Sequence, residues 1–294
     1  MRLAGIRPSP VSWVPPVAWL APGYAEWQPP AALRGQVACL WLSVLPDRPR
    51  GSALILPDGC SDLLWQQGAG ASVAGPDTGP FTAGEPAPGA VIVGIRFRPA
   101  AGGQVLGMPL SELRDQRAPL ADVLRAQGPL ARRSAGLSPD LSPAEAAARL
   151  LDLTGRLVAD AAADPAITQA ATLLRDPAAR TEEVAGLVGL SERQLRRRSH
   201  AAAGYGPKTL QRVLRFHRFV RLLDASPVLP DLAGAAVRIG YADQPHLTRE
   251  CRSLSGHTPA ALHRLRRPAS STPSVAVKKY RVLFRPNTGG NHTR

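Results

Sequence analysis

The chain has 294 residues, with 36 Lys and Arg against 22 Asp and Glu, for a formal net charge of +14. At about 100–200 residues per domain, this length predicts two domains, and a 44% hydrophobic content excludes a wholly disordered chain. No apolar run reaches the roughly 20 residues of a membrane-spanning helix, so no membrane partner is expected. Residues 1–179 carry 15 basic and 15 acidic side chains, residues 180–268 carry 16 and 7, and residues 269–294 carry 5 and none. A neutral N-terminal part joined to a basic C-terminal part is the electrostatic footprint of a nucleic-acid binder.

The chain opens on an apolar stretch, 11–21, that Pro15 and Pro16 interrupt. It lacks a basic leader and a cleavage pattern, so no signal peptide is expected and the chain reads as cytoplasmic. The widely spaced Cys39, Cys60 and Cys251 fit a reducing compartment rather than a disulfide framework. All six histidines lie at position 200 or later. The first two-thirds of the chain therefore offers no histidine for a metal site or for a Ser-His-Asp or Cys-His pair. No catalytic residue, metal or cofactor is expected.

Residues 1–130 read as a β-rich α+β domain. Val37–Val44, Ala53–Leu56, Leu63–Trp65 and Val91–Phe97 are short apolar strands, and Pro57-Asp58-Gly59 supplies a turn that demands positive φ. Pro99 to Gly103 breaks the last strand, and a helical stretch is expected over Ser111–Leu124. Three side chains here could touch a small effector. Cys60 stands between Asp58 and Asp62, whose carboxylates disfavour a thiolate, so a structural role competes with ligand contact. Arg96 and Arg98 alternate with Ile95 and Phe97, which places both guanidinium groups on one strand face, for an anion or for solvent.

Residues 131–164 read as a linker and a helix. Leu150, Leu153 and Leu157 recur at helical spacing; the stripe packs on its own domain or serves as a homodimer contact.

Residues 165–268 hold a doubled motif. LSERQLRRRSHAAAGYGP (190–207) aligns with ADQPHLTRECRSLSGHTP (242–259): Ser191 with Asp243, Leu195 with Leu247, Ser199 with Cys251, Gly204 with Gly256, Pro207 with Pro259. Each copy reads as helix, tight turn, helix, an all-α domain with two helix-turn-helix units. In the first, Thr181 is expected to cap the leading helix, Gly189 to end it, and Ser191 to cap the next with Gln194 in capping-box spacing. In the second, Asp231, Gly240 and Asp243 play those parts. Gly204 and Gly256 end the second helices, and Pro207 and Pro259 start the following ones.

At about 100° per residue, Leu195 and Ser199 share one face of the first of these second helices. Arg193, Arg196, Arg197 and His200 fall on the opposite face. Leu247 and Cys251 repeat that division against Thr248, Arg249 and Arg252, with Gln244 and His246 on the exposed first turn. Arg and Gln make bidentate contacts to guanine and adenine edges in the major groove of double-stranded DNA. Lys208, Arg215 and Arg252 are candidates for phosphate contacts, which add affinity without sequence information. Lys208–Leu223 reads as one helix of about 24 Å, a strut that would hold two recognition helices near one DNA turn apart.

At these residues the chain resembles the AraC/XylS family of bacterial transcription regulators. GYADQPHLTRECRSLSGHTP (240–259) is similar to the family signature, and LSERQLRRR, GYGP and LRFHR (214–218) add to it. ILPDGCSDLLW (55–65) and GIRFRPAAGGQVLGMPLSEL (94–113) are similar to a poorly characterised sensor-like domain that precedes the module in some members. The resemblance implies a seven-helix DNA-binding domain over 165–268. It makes Arg193, Arg196 and Arg197, and Gln244, His246, Thr248 and Arg249, the base-contacting residues. It also implies an N-terminal domain that senses a small-molecule effector or dimerises, and RNA polymerase as a further partner. The family places Phe where this chain has Ser199 and Cys251, a loss of about 2–4 kcal/mol of core unless neighbours fill the space. An enzyme fused to a DNA-binding module, and a non-specific architectural DNA binder, are the competing readings. The basic tail, 269–294, reads as largely unstructured, with 275–284 able to form a strand.

Overall fold

The computed structural model describes residues 23–47, 53–83, 87–125, 134, 136–266 and 283–284. Strands β1 (Gly23–Trp27), β2 (Val37–Val44), β3 (Ala53–Ile55), β4 (Ser61–Gln66), β5 (Gly70–Ala74), β6 (Phe81–Ala83), β7 (Val91–Phe97) and β8 (Arg117–Pro119) belong to the N-terminal unit. Six of them form an antiparallel sheet in the order β1-β2-β7-β4-β5-β8. β3 and β6 pair in a second sheet, completed by β9 (Leu283–Phe284). The rest of the tail lies outside the described residues.

β2 runs from Val37 to Val44, as its apolar run predicts. Cys39 pairs with Arg96, and Trp41 with Gly94, so the alternation sends Leu40, Leu42 and Val44 to one face. That face forms a core with Leu63, Trp65, Val93, Ile95 and Phe97. The helix α3 (Pro143–Asp160) closes it, starting at a Ser142–Glu145 capping box and burying Leu150, Leu153 and Leu157. The apolar stripe is thus spent inside its own unit, and a dimer contact through it would first have to unpack that core. The N-terminal unit also reaches about 30 residues beyond the expected boundary at 130.

The stretch expected as a helix over Ser111–Leu124 is instead a 3-10 turn (Leu110–Leu113), β8, and the short helix α2 (Leu120–Val123). Arg114 is extended and Asp115 adopts a left-handed φ of 58°, which no helix tolerates. Helix α1 (Gly102–Leu106) forms where the Pro/Gly sequence suggested only a break. Its two glycines permit close approach: a Cβ on Gly103 would lie 2.2 Å from the Ala201 carbonyl oxygen.

The described residues of the C-terminal unit form seven helices: α4 (Pro165–Leu173), α5 (Thr181–Leu187), α6 (Glu192–Ala203), α7 (Pro207–Ala225), α8 (Leu232–Ile239), α9 (Gln244–Ser255) and α10 (Pro259–Arg266). α7 runs through a core that Val184, Leu195, Phe216, Phe219, Leu247 and Leu262 share. Thr181 does not cap α5: it is the first helical residue, and the preceding Arg180 makes no side-chain cap. Ser199 and Cys251 are both buried, at 1% and 0% exposure. Among the described residues, no helix is long and apolar enough to cross a membrane.

Candidate nucleic-acid interface

Two matched turns position α6 and α9. In the first unit Gly189 takes φ 69°, and the Ser191–Gln194 capping box starts α6. In the second Gly240 takes φ 93°, and the Asp243 carboxylate accepts from the His246 N–H at 2.6 Å to start α9. Left-handed Gly204 and Gly256 end both helices. The same local chemistry at the same spacing therefore produces the same geometry twice.

Leu195 and Leu247 are buried at the centre of each unit, which turns the opposite faces outward. Arg193, Arg196 and Arg197 are exposed on α6, and Gln244, Arg249 and Arg252 on α9. None of the three α6 arginines forms an ion pair or hydrogen bond among the described residues, so their charge is available. Thr248 is half-buried. The His246 ring is also half-buried, edge-on to Tyr241 at 5.2 Å, with Nδ1 accepting from the Ala242 N–H at 3.4 Å. The ring therefore braces its own turn.

α7 joins the two units, and its polar side chains are largely committed to holding them. Arg212 Nε donates to Glu250 on α9 at 2.6 Å, and its Nη2 to Ser253 at 2.7 Å. Arg215 Nη1 donates to the Gly240 carbonyl at 3.2 Å, with its guanidinium over the Tyr241 ring at 4.8 Å. Gln211 Nε2 reaches the Asp176 and Ala179 carbonyls at 2.9 and 2.8 Å. Arg215 thus orients the second turn, and Lys208, exposed on the first turn of α7, is the freer cation. The strut has 19 residues, about 28 Å long.

The three side chains singled out for a small ligand do not form one face. Arg96 is buried, with Nε 3.0 Å from Asp62 Oδ1 and 3.6 Å from Asp58 Oδ2. Arg98 lies one residue past the strand, where its Nε donates to the Arg34 carbonyl at 2.7 Å. The expected pair of outward guanidinium groups is therefore absent, because the strand ends at Phe97 and an acidic pair claims the first arginine. Burial, reinforced by Asp58, pushes the Cys60 thiol well up. Burial also raises the Asp62 carboxyl, against the opposing pull of Arg96. Trp41 Nε1 donates to that carboxylate at 2.7 Å, and the indole lies across Gly94, where a Cβ would come within 2.2 Å. Among the described residues no group of His, Cys, Asp and Glu is arranged to hold a metal.

Residues 184–265 match the helix-turn-helix domain family, spanning both units and the strut. Ahead of this helix-turn-helix domain, residues 25–119 match a domain of unknown function (DUF6597), which takes in the main sheet from β1 to β8. No curated protein matches the chain. Among solved structures, a probable AraC family transcriptional regulator from Rhodopseudomonas palustris CGA009 is 23% identical, covering 36% of this chain and 100% of its own, with a TM-score of 0.31. ToxT from Vibrio cholerae O395 is 10% identical, covering 76% of this chain and 97% of its own, with a TM-score of 0.42.

The N-terminal unit packs directly on α6. A Cβ on Gly204, at the end of α6, would lie 2.4 Å from Pro76 and 3.2 Å from the Leu110 carbonyl. Gln104 on α1 accepts from the Asp164 N–H at 2.9 Å, and Asp164 in turn pairs with Arg198 on α6 at 3.2 Å. Neither contact was legible in the sequence, since each joins residues 34 or more positions apart.

Proposed function

We propose that the chain is a cytoplasmic, sequence-specific transcription regulator that reads double-stranded DNA with α6 and α9 in successive major grooves. Arg193, Arg196 and Arg197, and Gln244, His246, Thr248 and Arg249, contact base edges; Lys208 and Arg252 grip phosphates, and Arg215 acts on the backbone or through the turn it holds. The observation that carries this reading is the pair of exposed basic helix faces, Arg193, Arg196 and Arg197 on α6 and Arg249 and Arg252 on α9, joined through one helix, α7. The N-terminal unit would sense an effector or mediate dimerisation, and its packing on α6 supports a sensing role. RNA polymerase would be a further partner, and no catalytic step is assigned.

The test is selection of genomic fragments by the full chain at about 150 mM salt, followed by sequencing of what is retained. The expected motif has two short blocks about 10 base pairs apart. Arg196→Ala should relax the preference in one block and Arg249→Ala in the other, each by about 1–3 kcal/mol. Retention without a motif would leave a non-specific binder.

A further inference from the structure

The first recognition helix does not face its partner alone. A solvent-open cleft of about 740 Å³ lies beside α6, and its lining draws Arg193, Arg196 and His200 from α6 and Lys208 from α7. Two further lining residues, Thr78 and Arg114, come from the N-terminal unit, outside the helix-turn-helix domain. Arg114 is exposed and makes no ion pair or hydrogen bond among the described residues. Glu192 is the one acidic side chain in the lining. The cleft thus gathers four side chains of fixed positive charge and a histidine around solvent.

The segment that carries Arg114 is held firmly. Asp115, next in the chain, is a non-glycine residue at φ 58°, a conformation that persists only where surrounding contacts over-determine it. Its carboxylate accepts from the Thr78 N–H at 2.6 Å and the Thr78 hydroxyl at 2.8 Å, and its own N–H donates to the Pro76 carbonyl at 3.1 Å. Gly75 leaves no room for a side chain, since a Cβ there would meet the Leu113 carbonyl oxygen. Pro76 and Leu110 then abut Gly204 at the end of α6, so the base of the Arg114 side chain is fixed relative to the recognition helix. His200 registers the crowding of positive charge: burial, then Arg114, then Arg196 lower its proton affinity. Like charges converging on one cleft, on a strained and close-packed support, indicate a polyanion as the occupant.

We propose that Arg114 binds the phosphate backbone of the DNA that α6 reads, so that the N-terminal unit supplies part of the DNA interface. This rests on the DNA-binding reading above. Arg114 is a point of grip on the backbone, neutral to base sequence. Because it is anchored in the N-terminal unit, any movement of that unit relative to α6 alters the number of phosphates neutralised.

The experiment measures binding of the full chain to a duplex that the wild type has selected from a random pool, over a series of salt concentrations. Arg114→Ala should weaken binding about 5- to 10-fold at roughly 100 mM salt and reduce the slope of log K against log salt by about 0.9. The loss should be equal for selected and unselected duplexes, and Arg114→Lys should restore the slope. Arg156→Ala, which removes a charge from α3 outside the cleft, should keep the wild-type slope. A wild type that retains no DNA overturns both this proposal and the function it rests on. Wild-type binding with an unchanged Arg114→Ala slope overturns this proposal alone, as does an equal loss in Arg156→Ala, which would make net charge rather than the cleft responsible.

Discussion

Tyr205, the residue after the α6 cap, is buried against Gly59 in the turn that leads into β4: a Cβ on Gly59 would lie 3.6 Å from the Tyr205 hydroxyl. Gly59 itself takes φ 82°, so the turn requires glycine for its backbone. The Asp58-Gly59 turn and the first helix-turn-helix unit are therefore one packed body.

Among the described residues the Tyr205 hydroxyl has no hydrogen-bond partner, and burial followed by Asp58 pushes its pKa well up. Tyr205→Phe should leave stability unchanged or raise it by up to about 1 kcal/mol, because it removes an unsatisfied polar group. Tyr205→Ala should cost about 3–5 kcal/mol and speed proteolysis between the two units. Urea unfolding midpoints and limited trypsin digestion would check both; a stable, protease-resistant Tyr205→Ala would show that the ring does not hold the units together.

Asp62 holds both Arg96 and the Trp41 indole on the sheet face. Asp62→Ala would strand a buried guanidinium with Asp58 as its remaining carboxylate among the ion pairs described, and should cost about 3–5 kcal/mol. The midpoint of denaturation followed by tryptophan fluorescence reads this directly. A cost under 1 kcal/mol would mean that water reaches Arg96.

Ser199 sits where the resemblance implies Phe, and its hydroxyl is buried without a partner among the described residues. Ser199→Ala should stabilise the chain by about 1 kcal/mol, and a thermal scan would show the higher midpoint. Destabilisation would instead reveal a bound water on that hydroxyl.

His200 should titrate below the usual histidine range, and Arg114→Ala should move it back up. Its folded pKa is depressed relative to the unfolded chain. Its contribution to stability is therefore present above about pH 6.5 and lost as pH falls through the folded value. Histidine NMR titration of wild type and variant checks the shift; an unmoved His200 would place Arg114 too far away to act on the cleft.

The doubled helix-turn-helix was legible in the sequence because its determinants are local. Ser191, Asp231, Asp243, Gly204, Gly240 and Gly256 act on backbone groups within a few residues of themselves, so spacing alone locates them. The exposed faces of α6 and α9 follow from helical periodicity once Leu195 and Leu247 are taken as buried. β2 was legible for the same reason, its eight-residue apolar run being as long as the strand.

What tertiary structure decided is everything that depends on partners distant in the chain. Ser111–Leu124 has an apolar content that suits a helix, yet Asp115 is drawn into a left-handed bend by Thr78, 37 residues away. Arg96 and Arg98 look equivalent in the sequence, but Asp62 on the adjacent strand buries one of them and the end of the strand redirects the other. Arg215 reads as a free cation until α8 and α9 bring the Gly240 carbonyl and Tyr241 against it. Arg114 carried no signal at all, since its significance is the cleft that it shares with α6. Caps and periodicity are short-range and survive in a linear reading; ion pairs, close glycine contacts and shared clefts exist only where the fold brings the two ends together.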